Sequence, residues 1–294
     1  MNFKLYNHNK KFPNRVVILG SGGIISSSLQ KMLKERRINI MSIGRSKLDL
    51  KKENASKKLK KKIKNNDVVI FIAAEAPVKN IEMFINNIKI CKTVCDVLEK
   101  KKIKHLVYIS SDAIYADVKG KISEKSIASP NSLHGLMHLT RESMLKNKFE
   151  KILCILRPTL IYGPGDTHNG YGPNRFINLA LKNKSIPIFG NGEEKRDHIF
   201  IEDVVKIIVK CIKNKSLGIL NLATGKVYSF KYLAEQMINF SKSKSKLIKI
   251  RRIGPMPHNG YRPFNVTLLK SNFKDIKMFS IKSGIKRYLE SLNS

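Results

Sequence analysis

The run Gly20-Ser21-Gly22-Gly23 separates an apolar segment, residues 15–19, from a second apolar segment that begins at residue 24. A strand, a glycine-rich turn and a helix in this order present free backbone N–H groups and the positive end of a helix dipole to a pyrophosphate. Gly20 and Gly23 keep the required spacing, and Ser26 replaces the third glycine with a residue small enough for close packing. The turn therefore predicts dinucleotide binding, with a merely structural turn as the alternative.

Arg45 follows the second apolar run, in Gly44-Arg45-Ser46. In dinucleotide-binding folds an acidic residue near this place binds the ribose hydroxyls of NAD, whereas an arginine accommodates the 2′-phosphate of NADP. Arg45 therefore favours NADP, although a solvent-facing arginine is an ordinary alternative in a chain this basic. Asp49, four residues further on, is a candidate acceptor for the adenine amino group.

Short apolar runs that alternate with longer amphipathic segments must position these residues. The runs predict buried strands at residues 15–19, 38–43, 68–73, 106–110 and 152–156. Such alternation is typical of a parallel sheet built from right-handed βαβ units. The sequence therefore predicts an α/β fold with a doubly wound parallel sheet.

The pattern changes after Pro158, where glycine and proline are concentrated in one loop between Gly163 and Pro173. We expect residues 1–165 to form the dinucleotide-binding domain, with residues 196–222 returning to it. Residues 166–195 and 223–294 are expected to form a smaller, substrate-binding part.

The charge balance is strongly basic, with 57 basic and 22 acidic residues and a net charge of +35 in a chain of 294 residues. A hydrophobic share of 42% is ordinary for a folded protein and excludes disorder as the main state. An excess of positive charge normally suggests nucleic acid or an acidic membrane as a partner. Here the lysines are scattered, and the densest run, residues 57–64, carries Leu59 and Ile63 at helical spacing. We interpret that run as a solvated helix face and expect neither kind of partner.

Four cysteines, at positions 91, 95, 154 and 211, lie in apolar segments without the paired spacing of zinc sites. We therefore expect free core thiols in a reducing compartment and no metal site. Residues 1–14 contain no apolar signal core, and no later segment approaches the roughly 18 apolar residues of a membrane span. The protein is expected to be cytoplasmic.

Several blocks between Val16 and Gly225 occur in an order that one enzyme family also has. They are residues 67–74, which end in Ala73 and Ala74, residues 108–115, residues 156–166 and residues 196–204. In these blocks the chain resembles the extended short-chain dehydrogenase/reductases, specifically the NAD-dependent epimerase/dehydratase family that acts on nucleotide sugars. The resemblance implies a Rossmann fold with NAD or NADP. With the residues above, the candidate cofactor contacts are Gly20, Gly23, Ile24, Ile25, Arg45, Asp49, Ala73, Ala74 and His138.

The catalytic positions depart from this family's pattern, because His134 and His138 stand where the family has a tyrosine and a lysine. In the family the tyrosine takes the proton of a sugar hydroxyl, while the lysine lowers the tyrosine pKa and binds the nicotinamide ribose. A tyrosine, with a pKa of about 10, needs a cation to act as a base, whereas a histidine, at about 6.5, does not. His134 is therefore the candidate base. A spacing of four puts both rings on one helical face, so His138 is the candidate for the ribose contact.

Three alternatives exist for the histidine pair. The alternatives are a structural pair, a relic in a protein that binds nucleotide without turnover, and a metal site. For the metal site, no third ligand stands at a recognisable spacing. Ser111 matches the family's catalytic serine or threonine, which favours catalysis. Asp112 is a candidate acid or only a turn residue. Ala113 stands where related dehydratases carry a glutamate for elimination of water, so we favour epimerisation or oxidoreduction over dehydration.

Arginines at two later positions match residues that hold the nucleotide diphosphate in this family. They are Arg196 and Arg262, and arginine suits a diphosphate through bidentate charge-assisted bonds. A surface residue is the alternative for Arg262. Asn174 and Arg175 lie where nucleotide contacts are common, and the candidate sugar contacts are His168, Asn169 and Tyr171.

The sequence thus predicts an NAD(P)-dependent epimerase or oxidoreductase of a nucleotide sugar, in surface carbohydrate biosynthesis. A non-catalytic nucleotide-binding regulatory module of the same fold is the alternative, and nucleic-acid binding ranks third. The resemblance also implies a homodimer through helices near residues 81–101 and 131–148. The apolar stripe of the first helix, which is Met83, Ile90, Val94 and Val97, serves either this dimer or the monomer core.

Overall fold

Six parallel strands form the main sheet of the structure, a computed structural model that describes residues 1–6, 11–166 and 169–292. Across the sheet they stand in the order 2-1-3-4-5-9, counted along the chain. The strands are β1 (Arg15–Leu19), β2 (Asn39–Ile43), β3 (Val68–Phe71), β4 (His105–Ile109), β5 (Leu153–Pro158) and β9 (Gly218–Leu222). Because the strand order reverses between β1 and β3, a crevice opens there at the carboxyl ends of the strands, where ligands bind in such sheets.

Helices cover both faces of this sheet. Successive side chains of a strand point to opposite sides, so each face has its own apolar core. Val16 and Ile18 of β1 belong to one core, and Val17 and Leu19 belong to the other. The first core contains α1 (Ile24–Glu35) and α6 (Ile201–Lys213), and the second contains α2 (Ala55–Lys62), α3 (Ile81–Leu98) and α4 (Leu133–Phe149). The predicted doubly wound α/β fold is confirmed.

Each of the five apolar runs predicted as strands overlaps an observed strand, and the predicted ends differ from the observed ones by at most two residues. All residues of β3, β4 and β5 are buried. Burial on both faces explains why these runs are apolar throughout and do not alternate.

The strands after β5, apart from β9, form two smaller sheets. The first contains β6 (Leu160–Tyr162), β8 (Lys195–Phe200), β10 (Val227–Ser229) and β12 (Tyr261–Arg262), and the second pairs β7 (Ile186–Phe189) with β11 (Leu247–Ile250). Their helices are α5 (Pro173–Leu181), α7 (Phe230–Ser241), α8 (Thr267–Asn272) and α9 (Ile281–Glu290). The domain boundaries remain a prediction; β8 lies in a smaller sheet, whereas β9 joins the main one.

The features singled out from composition have ordinary places in this fold. Residues 57–62 of the basic run lie on α2, and Ile63 is its C-cap residue. Leu59 and Ile63 are buried and the lysines at 57, 58, 60, 61 and 62 are exposed, so the interpretation as a helix face is confirmed. All four cysteines are free and buried. In the described ranges, no helix has the length and apolar character needed to cross a membrane. The same residues contain no group of three or more His, Cys, Asp or Glu that could hold a metal ion.

Candidate active site

The turn after β1 needs a glycine at position 20. Gly20 has a φ of +105°, and a Cβ added there would lie 2.6 Å from the backbone nitrogen of Ala73. The turn therefore lies directly against the chain that leaves β3. At Gly22 and Gly23 an added Cβ would meet no neighbouring heavy atom within 4 Å. This open space leaves room for a ligand beside the turn.

The helix α1 begins at this open space without a side-chain cap. Gly23 is its N-cap residue, no side chain accepts a hydrogen bond from the first turn, and that turn contains no acidic residue. The backbone N–H groups of a first helical turn have no partner within the helix, and the helix dipole is positive there. The turn and the helix together fit the pyrophosphate of a dinucleotide.

We expect Gly23→Val to weaken dinucleotide binding about 5- to 150-fold, equivalent to a steric cost of about 1 to 3 kcal/mol. The new side chain would occupy the open space, and its Cβ would meet no protein atom within 4 Å. Isothermal titration calorimetry with NAD and with NADP measures the effect, and thermal unfolding tests whether the fold is kept. Unchanged affinity would show that the ligand does not use this turn. Gly20→Val is not a matched variant, because its side chain collides with the Ala73 backbone and displaces the turn itself.

A cavity of about 130 Å³ lies beside the turn, and charged residues of both signs line it. The Arg45 side chain is 73% exposed, with Nε 3.5 Å from Asp49 Oδ2. Lys51 Nζ donates to Glu75 Oε1 at 2.6 Å, and Arg45 Nη1 lies 3.9 Å from the same oxygen. Lys51 and Glu75 were not predicted, although Glu75 directly follows Ala74. Two carboxylates thus offset the positive charge that favoured NADP in the sequence.

A larger cavity of about 570 Å³ adjoins the first, and both are lined by Gly20, Ser21, Ala73 and Ala74. Residues from the β1 turn, the ends of β3 and β4, and helix α4 meet here. The predicted residues that line this larger cavity are Gly20, Gly23, Ile24, Ile25, Ala73, Ala74, Ser111, Asp112, His134, His138 and Arg196. The structure therefore brings most candidate cofactor residues and all four candidate catalytic residues to one place.

A close backbone contact holds α4 beside the candidate catalytic serine. A Cβ added to Gly135 would lie 2.1 Å from the carbonyl oxygen of Ala113, which belongs to the short 3-10 helix Asp112–Ile114. Ser132 caps α4 by accepting the N–H of Gly135 at 3.1 Å. Since His134 precedes this contact and Ser111 precedes the 3-10 helix, the contact brings the two side chains into the same cavity.

The two histidines form an edge-to-face pair, with ring centroids 4.8 Å apart and planes at 90°. His138 is buried, and its Nδ1 lies 2.8 Å from the hydroxyl of Tyr108. His134 is half-buried, and its Nδ1 lies 3.5 Å from the backbone nitrogen of Val78. Burial lowers the pKa of His134, against the opposing effect of Asp112. Burial, His134 and the Arg141 cation together lower the pKa of His138 well below its usual value. Both rings are therefore neutral near pH 7.

Arg262, a predicted diphosphate contact, is bonded to protein groups in this structure. It is 2% exposed and does not line the larger cavity. Its Nε donates to Asp112 Oδ2 at 3.1 Å, its Nη1 to Asp117 Oδ1 at 2.8 Å, and its Nη2 to the carbonyl oxygen of Asp112 at 2.8 Å. Arg262 is thus an ion-pair partner of Asp112 and Asp117, and its contact with a diphosphate remains a prediction.

The other predicted substrate contacts also have partners within the protein. Asn174 accepts the N–H of Gly163 and donates to Asp166, both at 2.9 Å. Asn174 and Arg175 do not line the larger cavity, whereas Arg196 does, with Nη1 3.2 Å from Glu194 Oε1. The expected sugar contacts also have internal partners: Asn169 accepts from Asn178, and the hydroxyl of Tyr171 accepts the N–H of Phe189. His168 lies outside the described residues.

A buried ion pair links helix α4 to the sheet next to the larger cavity. Arg157 donates Nε to Glu142 Oε1 at 2.9 Å and Nη2 to Glu142 Oε2 at 2.6 Å, and both side chains are at most 3% exposed. Ser110 also donates its hydroxyl to Glu142 Oε1 at 2.6 Å. The pair ties α4 to the ends of β4 and β5. No sequence signal indicated the partnership of Glu142 with Arg157.

Comparison with known proteins points to one family. A family model described as the NAD dependent epimerase/dehydratase family matches residues 16–223. A Bacillus subtilis (strain 168) protein named as an uncharacterized UDP-glucose epimerase is 28% identical over 223 residues, which are 65% of this chain and 70% of the relative. A Dictyostelium discoideum dTDP-D-glucose 4,6-dehydratase is 26% identical over 278 residues. The match covers 80% of this chain and 64% of that relative.

Solved structures share the fold at low sequence identity. A UDP-glucose 4-epimerase from Thermus thermophilus, in complex with NAD, has a TM-score of 0.83 at 18% identity, over 95% of this chain and 99% of the other. A GDP-L-fucose synthetase from Naegleria fowleri bound to NADP has a TM-score of 0.81 at 13% identity, over 97% of each chain. These likenesses establish the same architecture over nearly the whole chain.

Proposed function

Because the chain belongs to the NAD dependent epimerase/dehydratase family, we propose that it is an NAD(P)-dependent epimerase or oxidoreductase of a nucleotide sugar. The observation that carries the proposal is the pair of adjoining cavities that share the glycine turn, with the histidine pair and Ser111 lining the larger one. The relatives named for UDP-glucose and dTDP-glucose support a nucleotide sugar as the substrate.

The chain's own residues fit a dinucleotide along both cavities. Gly23 and the uncapped start of α1 would hold the pyrophosphate, Arg45 and Asp49 in the smaller cavity would face the adenosine half, and His138 in the larger one would contact the nicotinamide ribose. When bound, the dinucleotide supplies reversible oxidation of a sugar hydroxyl. The mixed charges beside Arg45 support use of either NAD or NADP.

His134 accepts the proton of the reacting sugar hydroxyl. Its burial keeps the ring neutral near pH 7, so a ring nitrogen is free to take a proton without help from a cation. Ser111 orients the same substrate oxygen: its Oγ accepts the N–H of Ala113 at 3.1 Å, which leaves its own proton for donation. In the reducing direction the carbonyl carbon would take up a hydride from the dinucleotide, and His134 returns its proton to the carbonyl oxygen.

The residues near Ser111 support epimerisation or simple oxidoreduction over dehydration. Elimination of water needs an acid and a base next to the oxidised carbon, and the second position, Ala113, carries no such group. The carboxylate of Asp112 is paired with Arg262. Arg196, which lines the larger cavity, binds the diphosphate of the nucleotide sugar. We place this activity in the cytoplasm, in surface carbohydrate biosynthesis.

The deciding experiment is identification of the cofactor and the reaction. Purified protein is denatured and any released dinucleotide is identified by chromatography and mass spectrometry. The intact protein is then incubated with UDP-, dTDP- and GDP-linked hexoses, and the products are identified by NMR. A bound NAD or NADP and an epimerised or reduced sugar support the proposal. A protein that binds a nucleotide but turns over no sugar supports the non-catalytic module, and one that binds neither cofactor contradicts both.

We expect a homodimer through α3 and α4. Ile90, Val94 and Val97 are buried in the monomer, so the exposed apolar residues Ile81 and Ile85 on α3 are the ones available to a partner. Light scattering at micromolar concentration should give twice the chain mass of 33.5 kDa. Ile85→Lys should convert the dimer to a monomer, whereas the control Ile253→Lys, at a residue 95% exposed on a different segment, should not. A wild-type monomer contradicts the prediction.

A further inference from the structure

Tyr108 holds a position that connects the main sheet to the histidine pair. It lies on β4, its side chain is fully buried, and its ring centroid stands 6.0 Å from that of His138. The 2.8 Å distance from its hydroxyl to His138 Nδ1 is that of a well-formed hydrogen bond. A buried hydrogen bond of this kind is expensive to break, because either partner would be left unsatisfied.

The charges around this bond indicate its direction. The guanidinium of Arg141 is fully buried, with Cζ 5.5 Å from the Tyr108 ring centroid and 4.3 Å from that of Phe71. Its Nη2 donates to the carbonyl oxygen of Ala73 at 2.8 Å, and no carboxylate in the described ranges pairs with it. The buried hydroxyl proton of Tyr108 needs an acceptor, and a guanidinium can only donate, whereas His138 Nδ1 lies at hydrogen-bond distance and can accept. Tyr108 is therefore the donor and Nδ1 the acceptor.

A neutral histidine that accepts through Nδ1 must carry its proton on Nε2. Burial and the nearby positive charges keep His138 neutral. Since Nδ1 is engaged with Tyr108 on the buried side, Nε2–H is the group that His138 has for the cavity it lines. His134 differs, because its Nδ1 contact at 3.5 Å is too long to fix a tautomer.

We infer that Tyr108 is a positioning residue that fixes His138 as the Nε2–H tautomer, so that His138 donates to the ribose of a nicotinamide nucleotide. The inference rests on the proposed function for the identity of the ligand, and on the structure alone for the tautomer. It assigns different tasks to the two histidines. His138 is a fixed donor, and His134 is free to exchange a proton.

The tautomer can be measured without any substrate. Protein with ¹⁵N-labelled histidine is recorded by long-range ¹H–¹⁵N NMR, and the signals of His138 are assigned as those lost in His138→Gln. We expect an unprotonated Nδ1 and a protonated Nε2 in the wild type, and a mixture or the opposite tautomer in Tyr108→Phe. The control Tyr162→Phe, which removes another buried hydroxyl that does not contact the histidines, should leave the signals unchanged. A protonated Nδ1 in the wild type overturns the inference.

The ligand contact is tested by a double-mutant cycle on NAD(P) affinity. In the background that keeps His138, Tyr108→Phe should weaken cofactor binding about 2- to 12-fold, which is the effect of one hydrogen bond. In the His138→Lys background the same change should have an effect below about twofold, since an ammonium group has three donors and no tautomer to fix. Equal effects in both backgrounds overturn the role of Tyr108. Failure of the wild type to bind either cofactor overturns the proposed function and the ribose contact with it, whatever tautomer NMR shows.

Discussion

His134→Phe is expected to lower turnover of the nucleotide sugar about 10²- to 10⁴-fold, because it removes the group that accepts the hydroxyl proton. Phenylalanine keeps a flat ring of similar size in the half-buried position, so cofactor affinity should be retained. Steady-state kinetics give the loss in turnover, and calorimetry with NAD or NADP gives the affinity. Full activity in His134→Phe would contradict the mechanism and leave Ser111 or a bound water as the base.

The pH dependence of the wild type provides an independent measure of the same group. Burial lowers the pKa of His134 from its usual value of 6.5, and the Asp112 carboxylate only partly opposes this. Only neutral histidine accepts a proton, so the rate should be constant near pH 7 and should fall as the pH drops through a midpoint below 6.5. His134→Phe should lack this acid limb.

Replacement by the residues of the family pattern separates the two histidines. His134→Tyr alone should recover little activity, because a phenol with a pKa of about 10 needs a neighbouring cation. His134→Tyr combined with His138→Lys should recover more than either single change. Equal activity of the single and double variants would show that position 138 does not support the base.

Glu142→Ala is expected to destabilise the protein by about 3 to 5 kcal/mol, since it leaves the buried Arg157 guanidinium without its carboxylate. Urea unfolding followed by circular dichroism measures the change. Asp96→Ala is the matched control: it also removes the carboxylate of an ion pair, but with the exposed Lys92, and it should leave the urea midpoint almost unchanged. Glu142→Gln combined with Arg157→Met should regain part of the lost stability, because no buried charge remains unpaired.

The stability that Glu142 contributes should decrease as the pH falls. Burial alone would raise its pKa, but the bonds from Arg157 and Ser110 lower it below the usual 4.5. A carboxyl group whose pKa is lower in the folded state than in the unfolded state stabilises the fold when the pH is above the unfolded-state pKa. This stabilisation is lost as the pH falls through the folded-state pKa. The wild type should therefore lose stability below about pH 4.5 more steeply than Glu142→Ala does. Parallel stability curves for the two proteins would contradict this assignment.

Parts of the fold that are built from local patterns were predictable from the sequence. The central strands β3, β4 and β5 lie in apolar runs without alternation because both faces of the sheet are covered there, and the glycine turn lies between a strand and a helix. In the smaller sheets, β8 and β12 had no such signal. Strand β8 begins Lys195-Arg196-Asp197-His198, four polar residues in succession, and β12 has two residues only.

The candidate site shows the same division between local and distant contacts. The helical spacing of His134 and His138 placed both rings together, and the close approach of Gly135 brings them to Ser111. The pairing of Arg262 with Asp112 joins residues 150 positions apart, which no local pattern reveals. Tyr108 was not recognised because an aromatic residue in an apolar strand is indistinguishable from an ordinary core residue.

The contact of Gly135 with the Ala113 carbonyl has an evolutionary consequence. It joins backbone to backbone and involves no atom of the His134 or His138 side chain. The distance of α4 from the Ser111 loop is therefore set independently of the residues that carry out acid–base chemistry. Positions 134 and 138 can change together without altering this backbone contact, provided that position 135 remains glycine. The residue at position 138 must in addition satisfy the buried hydroxyl of Tyr108, so position 134 is the freer of the two to change.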